Sequence, residues 1–243
     1  MRNLVFSLVA CMMVFNMNAQ VKKPDTIAVA IFDRMSEIIG EMSSVSFTLK
    51  IRNDEVDQDL GLVTKFRESQ VHFNGPTQMQ IHSYGEKGHR GYWYNGDALT
   101  YYSFEENNYA VIESSGNNTI EMINEINDKY GIDFPAADFF SPTFTDDVLS
   151  NFDELKYVGK QTIESKECFY IIVKRNDMIV QLWIANDALN LPVKMLIMEI
   201  GGKVTEQYEA TFSNWDINPF LPDAMFKFQT PPKAKKISIL PRK

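Results

Sequence analysis

Cysteine is scarce in this chain of 243 residues, which contains only Cys11 and Cys168. Cys11 falls in an apolar leader that is expected to be removed, so Cys168 has no partner for an intramolecular disulfide. The hydrophobic core must therefore stabilise the fold without covalent reinforcement. Within the stretch ECFYIIVK, Cys168 is interpreted as a small buried hydrophobe.

Positive charge is also in short supply. The chain has 24 Lys and Arg against 32 Asp and Glu, which gives a formal net charge of -8 and a pI near 5.0. No stripe of Lys or Arg follows an apolar periodicity. Electrostatic binding to nucleic acid needs such a basic surface, so nucleic acid is excluded as a partner.

Recognisable catalytic and metal-binding motifs are missing. No G-x-S-x-G turn is present to hold a nucleophile, and the spacing of His72, His82 and His89 matches no compact metal pattern. Asp138, Asp146 and Asp147 are interpreted as caps and solvated helix positions. We therefore expect no catalytic residue, no metal and no cofactor, although paired-carboxylate hydrolysis stays open because sequence does not give distances in space.

Long apolar runs are limited to the N-terminus. Leu4 to Phe15 is nearly all apolar, and Met17-Asn18-Ala19 supplies the small residue that precedes a signal-peptidase site. A run of about a dozen residues is too short for a membrane core that needs about 20, so no transmembrane span is expected. The sequence predicts a signal peptide over residues 1–19, cleaved after Ala19, and a single domain over residues 20–243.

An alternative to cleavage after Ala19 is a lipid anchor. Leu8-Val9-Ala10-Cys11 has the form of a bacterial lipobox, in which Cys11 would be lipidated. The residues after Cys11 are apolar, whereas a lipidated terminus is normally followed by a polar tether. Cleavage after Ala19 is the favoured interpretation, and an anchor at Cys11 is kept as the alternative.

The mature chain begins with a helix and continues as strands. Apolar residues at spacings of three and four predict an amphipathic helix over residues 26–43, with Asp25 as its N-cap. From Ser46 the period changes to two. Asn118 and Glu121 form a capping box for a second helix over residues 119–130, and shorter helical pieces follow in PAADFF and TDDVLSNF. Residues 119–150 are called the lid insert below.

The strand candidates lie on both sides of the lid insert. They are Ser46 to Arg52, Gly61 to Glu68, Gln70 to Asn74, Gln78 to Ser83, Gly91 to Tyr94, Ala98 to Phe104, Tyr109 to Glu113, Lys156 to Ile163, Cys168 to Lys174, Met178 to Ala185, Leu191 to Ile200, Val204 to Ser213 and Met225 to Gln229. Short turns such as Asn95-Gly96 join neighbours, which predicts an antiparallel meander.

Several strands carry apolar residues on both faces. The stretch RGYWYNGDALTYYSFEENNYAV places aromatic rings on both sides of one hairpin, and MIVQLWIA repeats the pattern. Both faces of such strands must be covered by other parts of the protein. One helix of about 18 residues spans only about 27 Å, so either side chains fill the concavity of a curved sheet or a cavity remains.

The order of elements, with YNGDALTYYSFEENNYAV and the ending MFKFQTPPKAKKI, resembles the LolA/LolB-like lipoprotein carriers of the bacterial periplasm. The resemblance covers residues 26–237 and points to an uncharacterised branch of predicted periplasmic proteins. It implies an α+β fold, an incomplete and strongly curved antiparallel β-barrel with a long N-terminal helix and a helical lid insert. It also implies an apolar cavity for acyl chains and a location in the periplasm.

The same resemblance suggests a role for one arginine. In the carriers an Arg near the end of an early strand ties the sheet to the lid, and VTKFRESQVHF places that role on Arg67. The family usually has Pro next, where this chain has Glu68. A surface charge at an edge strand is the alternative role of Arg67.

These observations predict a monomeric binding or carrier protein that holds a lipid, an acyl chain or an acylated protein in an apolar cavity. An envelope interaction or sensor protein that binds a polypeptide without lipid is the alternative. The predicted cavity-lining residues are Phe47, Leu49, Phe66, Phe73, Met79, Ile81, Trp93, Leu182, Trp183, Met195, Ile197, Tyr208 and Phe212.

Overall fold

The computed structural model describes residues 24–134, 136–202 and 204–242. The predicted signal peptide and Cys11 lie outside the described residues. The helices are α1 (Thr26–Gly40), α2 (Thr119–Tyr130) and α3 (Phe144–Asn151), with 3-10 turns at Ala137–Phe140 and Asp223–Phe226. The strands are β1 (Ser44–Asp57), β2 (Gly61–Asn74), β3 (Gln78–Gly85), β4 (Gly88–Tyr94), β5 (Ala98–Ser103), β6 (Asn108–Glu113), β7 (Glu154–Ile163), β8 (Lys166–Arg175), β9 (Met178–Ala185), β10 (Pro192–Glu199), β11 (Glu206–Ile217) and β12 (Lys235–Lys236).

The twelve strands among the described residues belong to one curved, unclosed sheet in the order β12-β6-β5-β4-β3-β2-β1-β11-β10-β9-β8-β7. Every pairing is antiparallel except that of β12 with β6. The predicted meander and the α+β class with an open, curved sheet are confirmed. The first strand lies at the centre because β11 returns to pair with it.

The predicted strand limits differ from the structure at several positions, and two of the differences have a clear physical reason. β2 runs unbroken through Ser69, because Ser69 points to the buried face and donates to the Ser83 hydroxyl at 3.1 Å. A polar residue at an inward position interrupts the apolar pattern without ending the strand. The predicted strand Met225 to Gln229 does not form, and the 3-10 turn Asp223–Phe226 covers its first two positions. Phe226 is 1% exposed because it packs in the interior and is not paired with a neighbouring strand.

The lid insert joins opposite sides of the sheet. β6 lies next to one edge and β7 forms the other edge, so the connecting chain has to cross the concave face. α1 lies against the same region, where it contacts α3, the 3-10 turn at Ala137–Phe140, and β7. Asp25 caps α1 as predicted, and its side chain accepts from the Ile27 N–H at 2.9 Å.

α2 is attached firmly to the sheet at its N-terminal end. Thr119 N–H donates to the Pro76 carbonyl at 2.6 Å, and the Asn118 side chain accepts from Glu121 N–H at 2.9 Å. Glu125 accepts from the Ser114 hydroxyl at 2.8 Å. The Lys129 ammonium, with these donors, lowers the pKa of Glu125 to about 2. The helix bounds predicted from the capping box are confirmed.

The convex face of β3 to β6 is covered by the C-terminal strap, defined as residues 218–242. The Phe228 ring lies 5.1 Å from Trp93, 5.5 Å from Tyr102 and 5.6 Å from Tyr109 between centroids. Lys235–Lys236 then adds a parallel pair to β6. The aromatic hairpin is therefore rich in rings because two separate layers cover it, with the lid insert on one face and the strap on the other.

Gly91 is required for this convex packing. A Cβ atom at Gly91 would lie 2.2 Å from the Trp93 ring, which rests over the glycine. We expect Gly91→Val to displace Trp93 and to lower the free energy of unfolding by about 1–3 kcal/mol, measured by urea denaturation. Gly40→Ala is the matched control, because nothing lies within 4 Å of its added Cβ. Equal stability of the two variants would contradict this assignment.

Candidate ligand site beneath the lid insert

Ten of the thirteen predicted lining residues lie on the concave face of the sheet and belong to the main hydrophobic core. They are Phe47, Leu49, Phe73, Met79, Ile81, Leu182, Met195, Ile197, Tyr208 and Phe212. Strand register brings them together, because directly opposed residues in neighbouring strands share a face. The sheet thus presents one continuous apolar floor drawn from both halves of the chain.

The other three predicted lining residues lie on the convex face. Phe66 pairs with Arg52 and is 66% exposed. Trp93 packs under the C-terminal strap, and Trp183 stacks on Tyr170 at 5.0 Å within a separate small cluster. Each of the three comes directly after a residue that points to the concave side. Because successive side chains of a strand point to opposite faces, each of the three points away from the floor. These three assignments are corrected.

Phenylalanine rings of the lid insert cover this apolar floor. Phe140 stacks on Phe47 with 5.8 Å between centroids and meets Phe73 edge-on at 4.9 Å. Phe139 meets Phe212 edge-on at 5.5 Å. Since Phe47 is 5% exposed and Phe212 is 3% exposed, the floor is closed by the chain itself in this conformation. The apolar floor is therefore in contact with these rings and not with solvent.

The lid insert touches the floor through side chains alone. Among the described residues of the stretch 132–151, backbone N–H and C=O groups bond to other backbone groups only between residues 134 and 152, as in Ala137 to Phe134 and Phe152 to Val148. By contrast, α2 and the strands hold the sheet by backbone hydrogen bonds. The part of the insert that follows α2 can therefore leave the floor without breaking a strand ladder.

The floor becomes polar toward one end, where Arg67 lies. Arg67 pairs with Ile51, which is 4% exposed, and so points to the concave side. Its charge acts on Asp133 of the lid insert and on the Tyr92 and Tyr208 hydroxyls. This position faces the lid as the resemblance implies, whereas the tethering role itself stays a prediction.

Two carboxyl groups of the lid insert lie near this polar end. Burial raises the pKa of Asp133 to about 7, against the opposing charges of Arg67 and Arg242. Burial also raises the pKa of Asp138 to about 7, and the neighbouring carboxylates of Asp133 and Asp147 add to the effect. Asp138 is thus not the solvated position that the sequence predicts, because the fold of the insert carries it against the sheet.

The tyrosine hydroxyls at the same end remain protonated at neutral pH. Burial raises the pKa of Tyr92 to about 12, and burial likewise raises the pKa of Tyr208. The Tyr92 ring also meets Phe134 of the lid insert edge-on at 5.2 Å. Neutral hydroxyls beside a guanidinium can donate hydrogen bonds to an acceptor without adding a second charge.

Sequence reasoning missed several residues of the site. Trp215 stacks on Phe47 at 4.5 Å, although the predicted strand ended at Ser213. Asn214 has a φ of 55°, which makes a bulge and turns Trp215 inward. The lid rings were missed too, and the run DFPAADFF was their only signal. Asn in the left-handed region after an apolar strand could have indicated the bulge.

The histidines lie on the convex face. His82 Nδ1 and His89 Nε2 are 2.8 Å apart, and the His89 ring stacks on Phe104 at 3.6 Å. Burial lowers the pKa of both imidazoles. The structure, over the residues it describes, contains no group of three or more His, Cys, Asp or Glu side chains able to hold a metal ion.

An open groove of about 490 Å³ lies at the seam between α1 and the strands at the β7 edge. Ile27 and Ile31 of α1 line one wall, and Tyr157 and Phe169 line the other. Tyr157 and Phe169 both pack against the main core. This groove opens to solvent at the border of the main core.

A family model described as "Predicted periplasmic protein (DUF2092)" matches residues 28–240. The chain belongs to this family. The match confirms the branch of predicted periplasmic proteins inferred from the sequence. No curated protein matches this DUF2092 chain at a significant level.

Solved structures resemble this DUF2092 protein in fold. An uncharacterised conserved protein from the bacterium Thermus thermophilus is 10% identical with a TM-score of 0.50, over 87% of this chain and 98% of that one. The lipoprotein LppX of Mycobacterium tuberculosis is 14% identical with a TM-score of 0.48, over 82% of this chain and 98% of that one. LprF from Mycobacterium bovis is 12% identical with a TM-score of 0.48, over 87% of this chain and 99% of that one. At such identities the Thermus match establishes the fold and nothing further.

Within the part of the DUF2092 chain that the structure describes, no helix combines the length and the apolar content needed to cross a membrane.

Proposed function

We propose that this protein is an exported carrier that holds the acyl chain of a lipid or acylated protein between the concave face of the sheet and the lid insert. The observation that carries the proposal is that the lid insert covers the apolar floor through side-chain contacts that can be broken separately from the sheet. Phe139 and Phe140 close the apolar floor by ring contacts, and the described stretch 132–151 makes no backbone bond to a strand.

The energetics of transfer allow such a carrier to work without nucleotide. A chain of about fifteen methylenes gains about 12 kcal/mol on leaving water, at about 0.8 kcal/mol for each buried CH₂. A membrane offers the same gain, so exchange between carrier and membrane is close to balanced. Rings of the lid insert protect the floor while the carrier is empty, and the acyl chain replaces their contacts when it is loaded.

The groove beside α1 supplies a route to the floor. Ile31 is 8% exposed and lines this groove while it also belongs to the main core. A hydrocarbon tail that enters between α1 and the β7 edge has Ile31, Tyr157 and Phe169 as apolar contacts between solvent and the main core. Movement of the lid insert is then needed only at the centre of the floor.

Two measurements test the carrier function. We expect native mass spectrometry of protein isolated from a bacterial periplasm to show bound lipid in a one-to-one complex. Purified, delipidated protein should bind a fluorescent fatty acid saturably, and unlabelled lipid should displace it. Heat-unfolded protein is the control for nonspecific adsorption. Repeated isolation without lipid, together with no saturable binding, contradicts the proposal.

A second candidate function, recognition of an envelope polypeptide, is favoured by a projecting hairpin. β11 pairs with β1 only as far as Asn53, and β3 pairs with β2 only from Arg67. The arm, defined as residues 54–66, therefore extends beyond its neighbours. Val56 is 57% exposed and Leu60 is 77% exposed on this arm, and exposed apolar side chains that cluster together are typical of an interaction surface.

The arm can be tested by substitution. If chemical cross-linking recovers an envelope protein at fixed stoichiometry with the wild-type protein, we expect Phe66→Ser to abolish that recovery. Phe66 is 66% exposed on the arm and is therefore available for contact with a partner. Phe220→Ser is the matched control, since Phe220 is 93% exposed but lies outside the arm. Loss of the partner with both variants, or with neither, argues against a role for the arm.

A further inference from the structure

The concave face changes from apolar to polar along the direction of its strands. Successive inward pairs between β2 and β3 are Phe73–Met79, Val71–Ile81, Ser69–Ser83 and Arg67–Gly85. The next strand continues this order, since Tyr92 pairs with Ile81 and Arg90 pairs with Ser83. One end of the floor is thus lined by large apolar side chains, and the other by hydroxyl groups and arginines.

The lid insert has the same division along its length. Phe139 and Phe140 lie on the apolar end, against Phe212 and Phe47. Asp133, which precedes the rings in the chain, lies near Arg67 at the polar end. The insert therefore presents to the sheet an apolar portion joined to a carboxyl group, which is the layout of an anionic amphiphile.

Arg67 is placed to receive an anion other than Asp133. Among the described residues, no carboxylate oxygen lies within 4.0 Å of its guanidinium, whereas Arg52 of the convex face has Asp54 at 3.2 Å. Gly85, which pairs with Arg67, has no side chain, and the arginine stem lies directly against it, since a Cβ atom there would be 3.5 Å from the Arg67 Cβ. A guanidinium binds carboxylate and phosphate groups through its fork of N–H donors.

We propose that the ligand is an acyl amphiphile with an anionic headgroup, whose chain replaces the lid rings on the apolar floor and whose headgroup replaces Asp133 beside Arg67. This inference rests on the proposed carrier function and names the ligand class. The Ser83 hydroxyl, which accepts from Ser69, and the Tyr208 hydroxyl, on which the Arg67 charge acts, line the same end. In the empty protein the rings of the lid insert cover the apolar part of the site, and Asp133 lies near the polar part without an ion pair to Arg67.

Lipids with one acyl chain and different headgroups test this inference. Binding of oleate and of 1-oleoylglycerol is measured by displacement of a fluorescent acyl probe at about pH 8, where oleate is ionised. We expect oleate to bind at least about tenfold more tightly, since tenfold corresponds to one good charged contact. Oleoyl lysophosphatidylglycerol forms a third arm, which separates a phosphate headgroup from a carboxylate.

Substitutions assign the preference to Arg67. We expect Arg67→Gln to bring the ratio of the affinities for oleate and 1-oleoylglycerol to about one. Arg52→Gln, a charge change on the convex face, should keep the preference. If Arg67→Gln does not fold, as judged by circular dichroism, Arg67→Lys serves instead and should retain most of the preference because it keeps the charge.

The outcomes separate this inference from the carrier function. Equal affinity of the wild-type protein for oleate and 1-oleoylglycerol overturns the anionic-headgroup inference and leaves the carrier function standing. A preference that survives Arg67→Gln also overturns it. If none of the three lipids binds, the carrier function fails, and the headgroup inference fails with it.

Discussion

Replacing Phe139 with alanine is expected to destabilise the closed protein and, at the same time, to tighten its binding of acyl probes. Phe139 is 2% exposed and packs on Phe144 and Phe212, so its truncation should lower the free energy of unfolding by about 3–5 kcal/mol. The closed insert competes with ligand for the floor. Weakening closure raises the open fraction, and the apparent affinity should improve by about tenfold.

Urea denaturation and titration with a fluorescent fatty acid measure the two effects of Phe139→Ala. Phe220→Ala is the matched control, because the Phe220 ring is 93% exposed and its loss should change neither quantity. A core residue without a lid function would lower stability and leave affinity unchanged or reduced. Weaker probe binding by Phe139→Ala would show that its ring is a wall of the site rather than a cover.

Closure of the lid insert is expected to weaken as the pH rises from about 5 to about 8. Burial holds the pKa of Asp133 and Asp138 near 7 in the closed form, so the closed form keeps protons that an open, solvated form releases from about pH 4 upward. Stability of closure is therefore fully present at low pH and is lost as the pH passes through 7, by at most about 1.4 kcal/mol per pH unit for each group.

The charged groups around these carboxyls decide how large the effect is. Arg67 and Arg242 oppose the rise in the pKa of Asp133, whereas Asp147 adds to the rise for Asp138. Asp133 and Asp138 also influence each other, so they titrate as a coupled pair. Both retain part of their surface, and the linkage value is accordingly an upper limit.

Hydrogen exchange measures this pH dependence directly. After correction for intrinsic exchange, amides of the lid insert should open at least about tenfold more often at about pH 8 than at about pH 5. Asp138→Asn should remove much of this difference, because an amide cannot lose a proton in this range. Asp128→Asn, on the exposed side of α2, is the control. A pH dependence unaltered by Asp138→Asn refutes the mechanism.

The sequence predicted most of the scaffold because its signals are local. The alternation from Ser46 onward gave β1, and the capping box of Asn118 and Glu121 gave α2 with its bounds. Both signals arise between residues a few positions apart. The prediction failed where an inward position was polar, as at Ser69, and where a bulge reversed the alternation, as before Trp215.

The site was only partly predictable for the same reason. Alternation shows that Trp93 and Tyr92 lie on opposite faces, but it does not show which face is concave. Tyr92 meets Phe134 of the lid insert, and Trp93 meets Phe228 of the C-terminal strap. Both partners are distant in sequence, and no local pattern marks them as covers.

The sequence by itself determined the strand meander, the two capped helices and the presence of more apolar surface than a single helix can cover. Periodicity and capping depend on neighbouring residues, and they survive any later choice of packing. Only the tertiary structure decided which distant segments cover each face, and it alone brought Asp133 and Asp138 to the sheet near Arg67. Burial and electrostatic surroundings are properties of residues that meet in space, so they arise only when the two edges of the sheet are joined across its concave face.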